Sequence, residues 1–172
     1  MYIETERLIL RKPIIEDFNA YWLMKNDPIA TMYTGGTTPY TYEERCEMFR
    51  KDWVDSNQNS ELSVIEKESN TYIGYCGFRY CDVMAENELF YGLCQNSWNK
   101  GYGFEVAKAA LSYGFSVLNL ECIAASVDPM NVYSEKILRK IGMNYVDEFE
   151  MPDVGKLRKY SLSFVKYNTQ RV

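Results

Sequence analysis

The stretch ELFYGLCQNSWNKGYGFEVAKAALSYGFSVLN, residues 88–119, changes its hydrophobic period midway. E-L-F-Y-G-L-C at its start has the periodicity of a strand, whereas Phe104, Ala107, Leu111, Phe115 and Leu118 recur every three to four positions, which predicts a helix that Asn119 closes. Between them lies W-N-K-G-Y-G, Trp98 to Gly103. Glycines there let the backbone approach closely and turn its N–H groups toward one point, while the helix N-terminus adds partial positive charge, so the loop is suited to a pyrophosphate. Two glycines two apart also mark an ordinary tight turn, and the context has to decide. The Walker pattern G-x-x-x-x-G-K-[ST] is absent, and the dinucleotide fingerprint fails because Val106 stands where its third glycine belongs, although Glu121 falls near the place of a ribose-binding acid.

Downstream, C-I-A-A-S-V (122–127) reads as a strand, D-P-M-N breaks it, and a second helix runs to Gly142 as its C-cap. Two strands follow, roughly Asn144 to Phe149 and Leu157 to Tyr167, with Tyr160, Leu162 and Phe164 alternating toward one face. Upstream, L-S-V-I-E-K and Y-I-G-Y-C-G-F-R-Y-C join the strand at 88–94 through E-S-N-T and D-V-M-A-E-N turns, as an antiparallel meander of three strands. Ile3 to Lys12 reads as one first strand that stops at Pro13. Ile15 to Lys25 has Phe18, Tyr21 and Trp22 at helical spacing, Asp27-Pro28 breaks it, and a short helical turn is expected at Ile29 to Tyr33. Thr41 and Glu44 form a capping box for a helix that carries Cys46, Phe49 and Trp53 on one face and fades near Asp55 to Asn59. The order β-α-α-β-β-β-α-β-α-β-β predicts an α+β fold, a mixed sheet with helices on its faces, and the 172 residues suit a single domain.

Composition narrows the chemistry. A net charge of -5 argues against nucleic acid as a partner, since phosphate binding requires a concentrated Lys/Arg surface. No run of eighteen apolar residues exists and M-Y-I-E-T-E-R is polar, so neither a membrane span nor a signal peptide is expected, and the cytoplasm is the default location. Five scattered cysteines without a C-x-x-C pair fit reduced thiols. Histidine is absent altogether, which removes Ser-His-Asp and Cys-His catalysis and the commonest metal ligand, so no metal is expected.

The segments E-L-F-Y-G-L, W-N-K-G-Y-G-F-E-V-A and V-D-P-M-N-V-Y-S-E-K-I-L-R-K-I-G-M, in that order, resemble the GNAT superfamily of N-acetyltransferases. With the opening I-E-T-E-R-L-I-L-R, the likeness is nearest to the ribosomal-protein N-terminal acetyltransferase branch, and it spans nearly the whole chain except about Ile29 to Asn59. The resemblance implies a mostly antiparallel sheet splayed between the strands before and after the CoA-binding helix, and acetyl-CoA as cosubstrate. Gly101 and Gly103 match the last two anchors of the family's phosphate loop, while Trp98 replaces its first, Gln or Arg. Backbone amides from Asn99 through Lys100, Gly101, Tyr102 and Gly103 to Phe104 would hold the pyrophosphate, and the backbone of Leu93 and Cys94 would pair with the pantetheine arm. Asn131 and Ser134 match the branch's N-x-x-S, with Asn131 on that arm and Ser134 near the sulfur, although an Asn before a helix also serves as a cap.

The implied reaction is direct attack of an amine on the thioester, which needs a base and an acid. Many superfamily members carry a Tyr at the position of Leu138; in its absence Ser134 is the candidate acid, with Tyr133 in reserve. Glu88 is the candidate base, with an exposed and inert glutamate as the alternative. Glu105 reads as a partner of the helix end, and Cys94 as a buried thiol. The acceptor is left open among a peptide N-terminus, a polyamine, an amino sugar and a free amino acid, in a monomer or homodimer. A CoA-binding regulatory module without turnover is the competing reading.

Overall fold

In the computed structural model, which describes residues 2–56, 61–152 and 154–169, the chain opens with two strands, not one: β1 (Tyr2–Glu4) and β2 (Leu8–Arg11). They pair antiparallel as a hairpin because Thr5 closes its own turn: its N–H donates to the Leu8 carbonyl at 3.0 Å and its Oγ1 accepts from the Leu8 N–H at 2.9 Å. A 3-10 turn, Ile15–Asp17, leads into α1 (Phe18–Lys25). Residues 28–35 form turns, and α2 (Tyr42–Phe49) then starts on the Thr41–Glu44 capping box and runs into a π-helical turn at Arg50–Val54. The predicted fading of this helix extends to Asn59, which lies outside the described residues.

The meander follows as β3 (Glu61–Glu66), β4 (Thr71–Cys81) and β5 (Glu86–Leu93), antiparallel throughout. Next come α3 (Tyr102–Ser116), β6 (Cys122–Val127), α4 (Val132–Lys140), β7 (Asn144–Met151) and β8 (Gly155–Ser163). The last predicted strand ends early. Phe164–Thr169 forms a helical turn, α5, in which Phe164 and Tyr167, three apart, both stack on Phe115 with ring centroids at 5.9 and 4.7 Å.

Among the described residues eight strands join one sheet in the order β1-β2-β3-β4-β5-β6-β8-β7, in which β5 and β6 run parallel and every other neighbouring pair antiparallel. The fold is therefore α+β, with a mostly antiparallel sheet. Strand alternation sends Leu10, Val64, Phe78, Leu89 and Ile123 to one face, where Val106, Ala107, Leu111 and Phe115 of α3 cover them. Each such buried Val, Leu, Ile or Phe side chain contributes roughly 1.5–3 kcal/mol. The opposite face holds Ile65 and Tyr72 under Phe18 and Tyr21 of α1 and Phe49 of α2. The sheet thus separates an α3/α4 side from an α1/α2 side.

Candidate active site

The two sides meet where β5 and β6 part. These strands share a single register pair, Glu88 with Ala124, and beyond it they diverge into a wedge. A cleft of about 640 Å³ runs through the wedge and out across the α1/α2 face. Tyr91, Ser126, Asn131 and Ser134 line it at the wedge, and Tyr21, Trp53 and Tyr75 line it farther out.

Below the wedge, α3 begins at Gly101, whose φ of 82° lies in the left-handed region that favours glycine. Asn99 also has a positive φ, 60°. The first α3 turn has no side-chain cap, and among the described residues the N–H groups of Asn99 through Phe104 donate to no protein acceptor; the earliest α3 bond recorded is Glu105 N–H to the Gly101 carbonyl, 3.2 Å. Unpaired first-turn amides on a 15-residue helix form a site for an anion. Lys100 is exposed beside this turn, and Lys140 lies 4.1 Å from the Phe104 ring centroid. The Tyr102 side chain is buried and donates to Glu66, so only its backbone faces the loop. A Cβ on Gly103 would stand 2.9 Å from Ile137 Cδ1, so that glycine lets α4 pack against α3.

The loop is clamped from the first hairpin. Arg7 donates to the Lys100 carbonyl at 2.9 Å and to Glu105 at 2.8 Å, and its guanidinium lies 4.5 Å from the Tyr102 ring centroid. Glu105 also accepts from Thr5 Oγ1 at 2.6 Å. It fastens the β1–β2 turn to the loop, and the bonds from Thr5 and Arg7 hold its carboxyl below the usual range against the opposing effect of burial.

At the wedge, Asn131 caps α4 by accepting from the Ser134 N–H at 3.1 Å. The Ser134 hydroxyl lies 2.9 Å from the Tyr91 hydroxyl. Burial pushes the Tyr91 phenol up to about 12, against the lowering effect of its bond to Ser134. Sequence reasoning missed Tyr91, although it stands in the E-L-F-Y-G-L segment and strand alternation puts it on the face of Leu89 and Leu93. Tyr133 is 69% exposed and is not among the residues lining the cleft.

Glu88 is 1% exposed, not a surface group. One of its oxygens accepts from Arg79 Nε at 2.6 Å and the other from the Ser126 hydroxyl. Leu93 faces Gly74 at a position where the Cys94 N–H, not its own, bonds back to Ile73 at 2.8 Å, so the Leu93 amide faces the wedge. The Leu93 carbonyl already accepts from Trp98 Nε1 at 2.9 Å. Cys94 therefore spends its N–H within the sheet, and burial pushes its thiol up to about 11, which disfavours a nucleophilic thiolate. Among the described residues no group of three or more His, Cys, Asp or Glu stands ready to hold a metal ion, and no helix is long and apolar enough to cross a membrane.

Comparison with known proteins fits this geometry. Residues 7–144 match the acetyltransferase (GNAT) domain. An uncharacterized N-acetyltransferase, p20, of Bacillus licheniformis is 37% identical over 143 residues, covering 80% of this chain and 79% of that protein. Among solved structures, a GNAT-family acetyltransferase from Bacillus anthracis superposes with a TM-score of 0.83 at 26% identity, over 96% of this chain and 99% of that one. A spermidine N-acetyltransferase from Vibrio cholerae in complex with CoA and spermine shares the fold, with a TM-score of 0.79 at 18% identity, over 95% and 99%. The chain belongs to the GNAT family of N-acetyltransferases.

Proposed function

We propose that the chain transfers the acetyl group of acetyl-CoA directly to a primary amine, with the thioester seated in the wedge between β5 and β6. The observation that carries this reading is the joining of an uncapped α3 N-terminus to a wedge in which the Tyr91 and Ser134 hydroxyls meet at 2.9 Å. The open amides from Asn99 to Phe104, with Lys100, hold the pyrophosphate. The Leu93 amide and the Asn131 side chain hold the pantetheine arm; the bond from Trp98 to the Leu93 carbonyl and that from Cys94 to Ile73 leave the Leu93 N–H as the main strand donor.

In the reaction a nitrogen–carbon bond forms, the carbon–sulfur bond breaks, the attacking nitrogen loses a proton and the departing thiolate gains one. Tyr91, oriented by Ser134, is the donor toward the sulfur and fills the place of the phenol missing at Leu138. Glu88 receives the nitrogen's proton by way of Ser126, whose hydroxyl already donates to it. A binding module without turnover is disfavoured by this phenol and by relatives named as N-acetyltransferases.

Thiol release from acetyl-CoA, followed across peptides, polyamines and amino sugars, tests the reading. Release with at least one amine, matched by acetylated product, is expected. CoA binding with no release on any of them would establish the regulatory module instead.

A further inference from the structure

The outer end of the cleft carries charge that the wedge chemistry does not use. Lys25, in the last turn of α1, and Arg45, on α2, both line it. Among the described residues neither is in an ion pair. Arg45 donates through Nε to the Tyr21 hydroxyl at 3.0 Å, and its guanidinium lies 5.3 Å from the Tyr21 ring centroid. Lys25 Nζ makes no side-chain hydrogen bond and lies 6.0 Å from the Tyr75 ring centroid.

The other ionisable groups along the cleft do not neutralise this pair. Arg79 and Glu88 are closed on each other. Asp128 turns its carboxylate to the Met130 N–H at 2.7 Å, and Asp82 is exposed on the far rim. Glu61 is the acid beside Lys25 and Arg45, and burial pushes it up to about 8, with nearby Asp52 adding to the rise and the cations opposing it. Burial, with Arg45 nearby, also pushes the Lys25 ammonium below its ordinary value, and Glu61 opposes this. Two basic side chains against this one carboxyl give the outer end a net basic character in either charge state of Glu61. Tyr21, Trp53, Tyr75 and Phe90 form an aromatic wall between that end and the wedge.

The register sets the distance. Glu61 faces Gly77, and Gly77 faces Phe90 on β5, beside the wedge. Two strand spacings separate them, about 10 Å. Two or three extended residues, about 7–10 Å, span a distance of that order. A polyamine would bring a second cation against Lys25 and Arg45, whose positions over Tyr75 and Tyr21 already fill the sites where aromatic rings would welcome one.

We propose that the acceptor is a primary amine carrying a carboxylate about 7–10 Å from its nitrogen, the size of a free di- or tripeptide, with Lys25 and Arg45 as the carboxylate's partners. This rests on the reading of the wedge as the acetyl-transfer site.

The test compares alanyl-phenylalanine, its C-terminal amide and spermidine as acceptors, by thiol release and by mass of the product. The free acid should exceed the amide by about tenfold or more in kcat/KM, the range of one or two charge-assisted hydrogen bonds. Lys25→Met and Arg45→Gln should each bring that ratio toward one. Should Arg45→Gln fail to fold, because its bond to Tyr21 is lost, Lys25→Met still decides, since its ammonium makes no hydrogen bond among the described residues. Equal use of acid and amide, faster turnover of spermidine, or a ratio retained in Lys25→Met would overturn the proposal while leaving acetyl transfer intact. No thiol release with any of the three would count against the transfer reading itself.

Discussion

Replacing Tyr91 by Phe takes one oxygen out of the wedge and leaves the ring in place, so it isolates the hydroxyl that lies 2.9 Å from Ser134. With the phenol pushed up to about 12, Tyr91 stays protonated through the working range and is available as a donor. A thiol ionises near 8.5, so complete transfer from this phenol to a thiolate is uphill by about 3.5 pK units, roughly 5 kcal/mol. In the proposed reaction the hydroxyl would therefore act as a donor chiefly by hydrogen-bonding to charge as it develops on sulfur, with water completing the proton transfer. Such a bond to a charged acceptor is worth about 1.5–3 kcal/mol, or roughly 10- to 100-fold in kcat. The uncharged thioester of the ground state attracts the donor far less, so acetyl-CoA affinity should change little. Losing the bond to Ser134 should lower fold stability by about 1 kcal/mol. Ser134→Ala leaves the phenol in place and removes only its orientation, so kcat should fall by about fivefold, and the double variant should be little worse than Tyr91→Phe. Steady-state thiol release with a saturating amine, beside calorimetric titration with acetyl-CoA, separates these effects. A Tyr91→Phe enzyme within twofold of the parent kcat would refute the assignment. So would a loss of CoA affinity as large as the loss of rate, because the hydroxyl would then be a binding group only.

Two further outcomes follow from the loop and from α4. Gly101→Val forces a β-branched residue to a φ of 82°, which costs about 1–2 kcal/mol or more; an added Cβ meets only Arg7 Nη2 at 3.4 Å, so the protein should fold with a lowered Tm and bind CoA at least tenfold more weakly. Unchanged affinity in the folded variant would remove the loop from the site. Glu135 accepts from Tyr160 at 2.6 Å and from Arg139 and Arg158, and these bonds hold its carboxyl down to about 2. A depressed folded pKa stabilises above the ordinary carboxylate range, about 4.3, and that contribution is lost as pH falls toward 2. Glu135→Gln should accordingly flatten the fall of Tm over that acid interval, and a variant with the parent's full acid slope would assign the slope to other carboxylates.

What was legible in the sequence was local. The strand–loop–helix unit around Gly101 could be read because its period changes within one segment, and the Asn131–Ser134 cap lies within a single turn. The hairpin at Thr5 could not. Its turn is closed by a side chain inside an unbroken strand-favouring run, and its partner Glu105 is 100 positions away. Phe164 misled for a related reason: the alternation of Tyr160 and Leu162 continues onto it, but Phe115 offers a stacking partner that only a helical spacing of Phe164 and Tyr167 can use. Nothing along the chain reveals that Lys25 and Arg45, on different helices, line one cleft.

The same limit governs the acid. The family resemblance places a tyrosine on α4 where Leu138 stands as an apolar side chain, 1% exposed, which leaves Ser134 as the acid expected from the sequence, with Tyr133 in reserve. Tyr91 stands 43 positions before Ser134 on the other wall of the wedge, and the two hydroxyls come together only because β5 and β6 separate after one shared pair. A departing sulfur is stabilised by where a donor oxygen sits, not by the element that carries it. Loss of the helix phenol therefore does not imply loss of chemistry when the facing strand presents one to the same space.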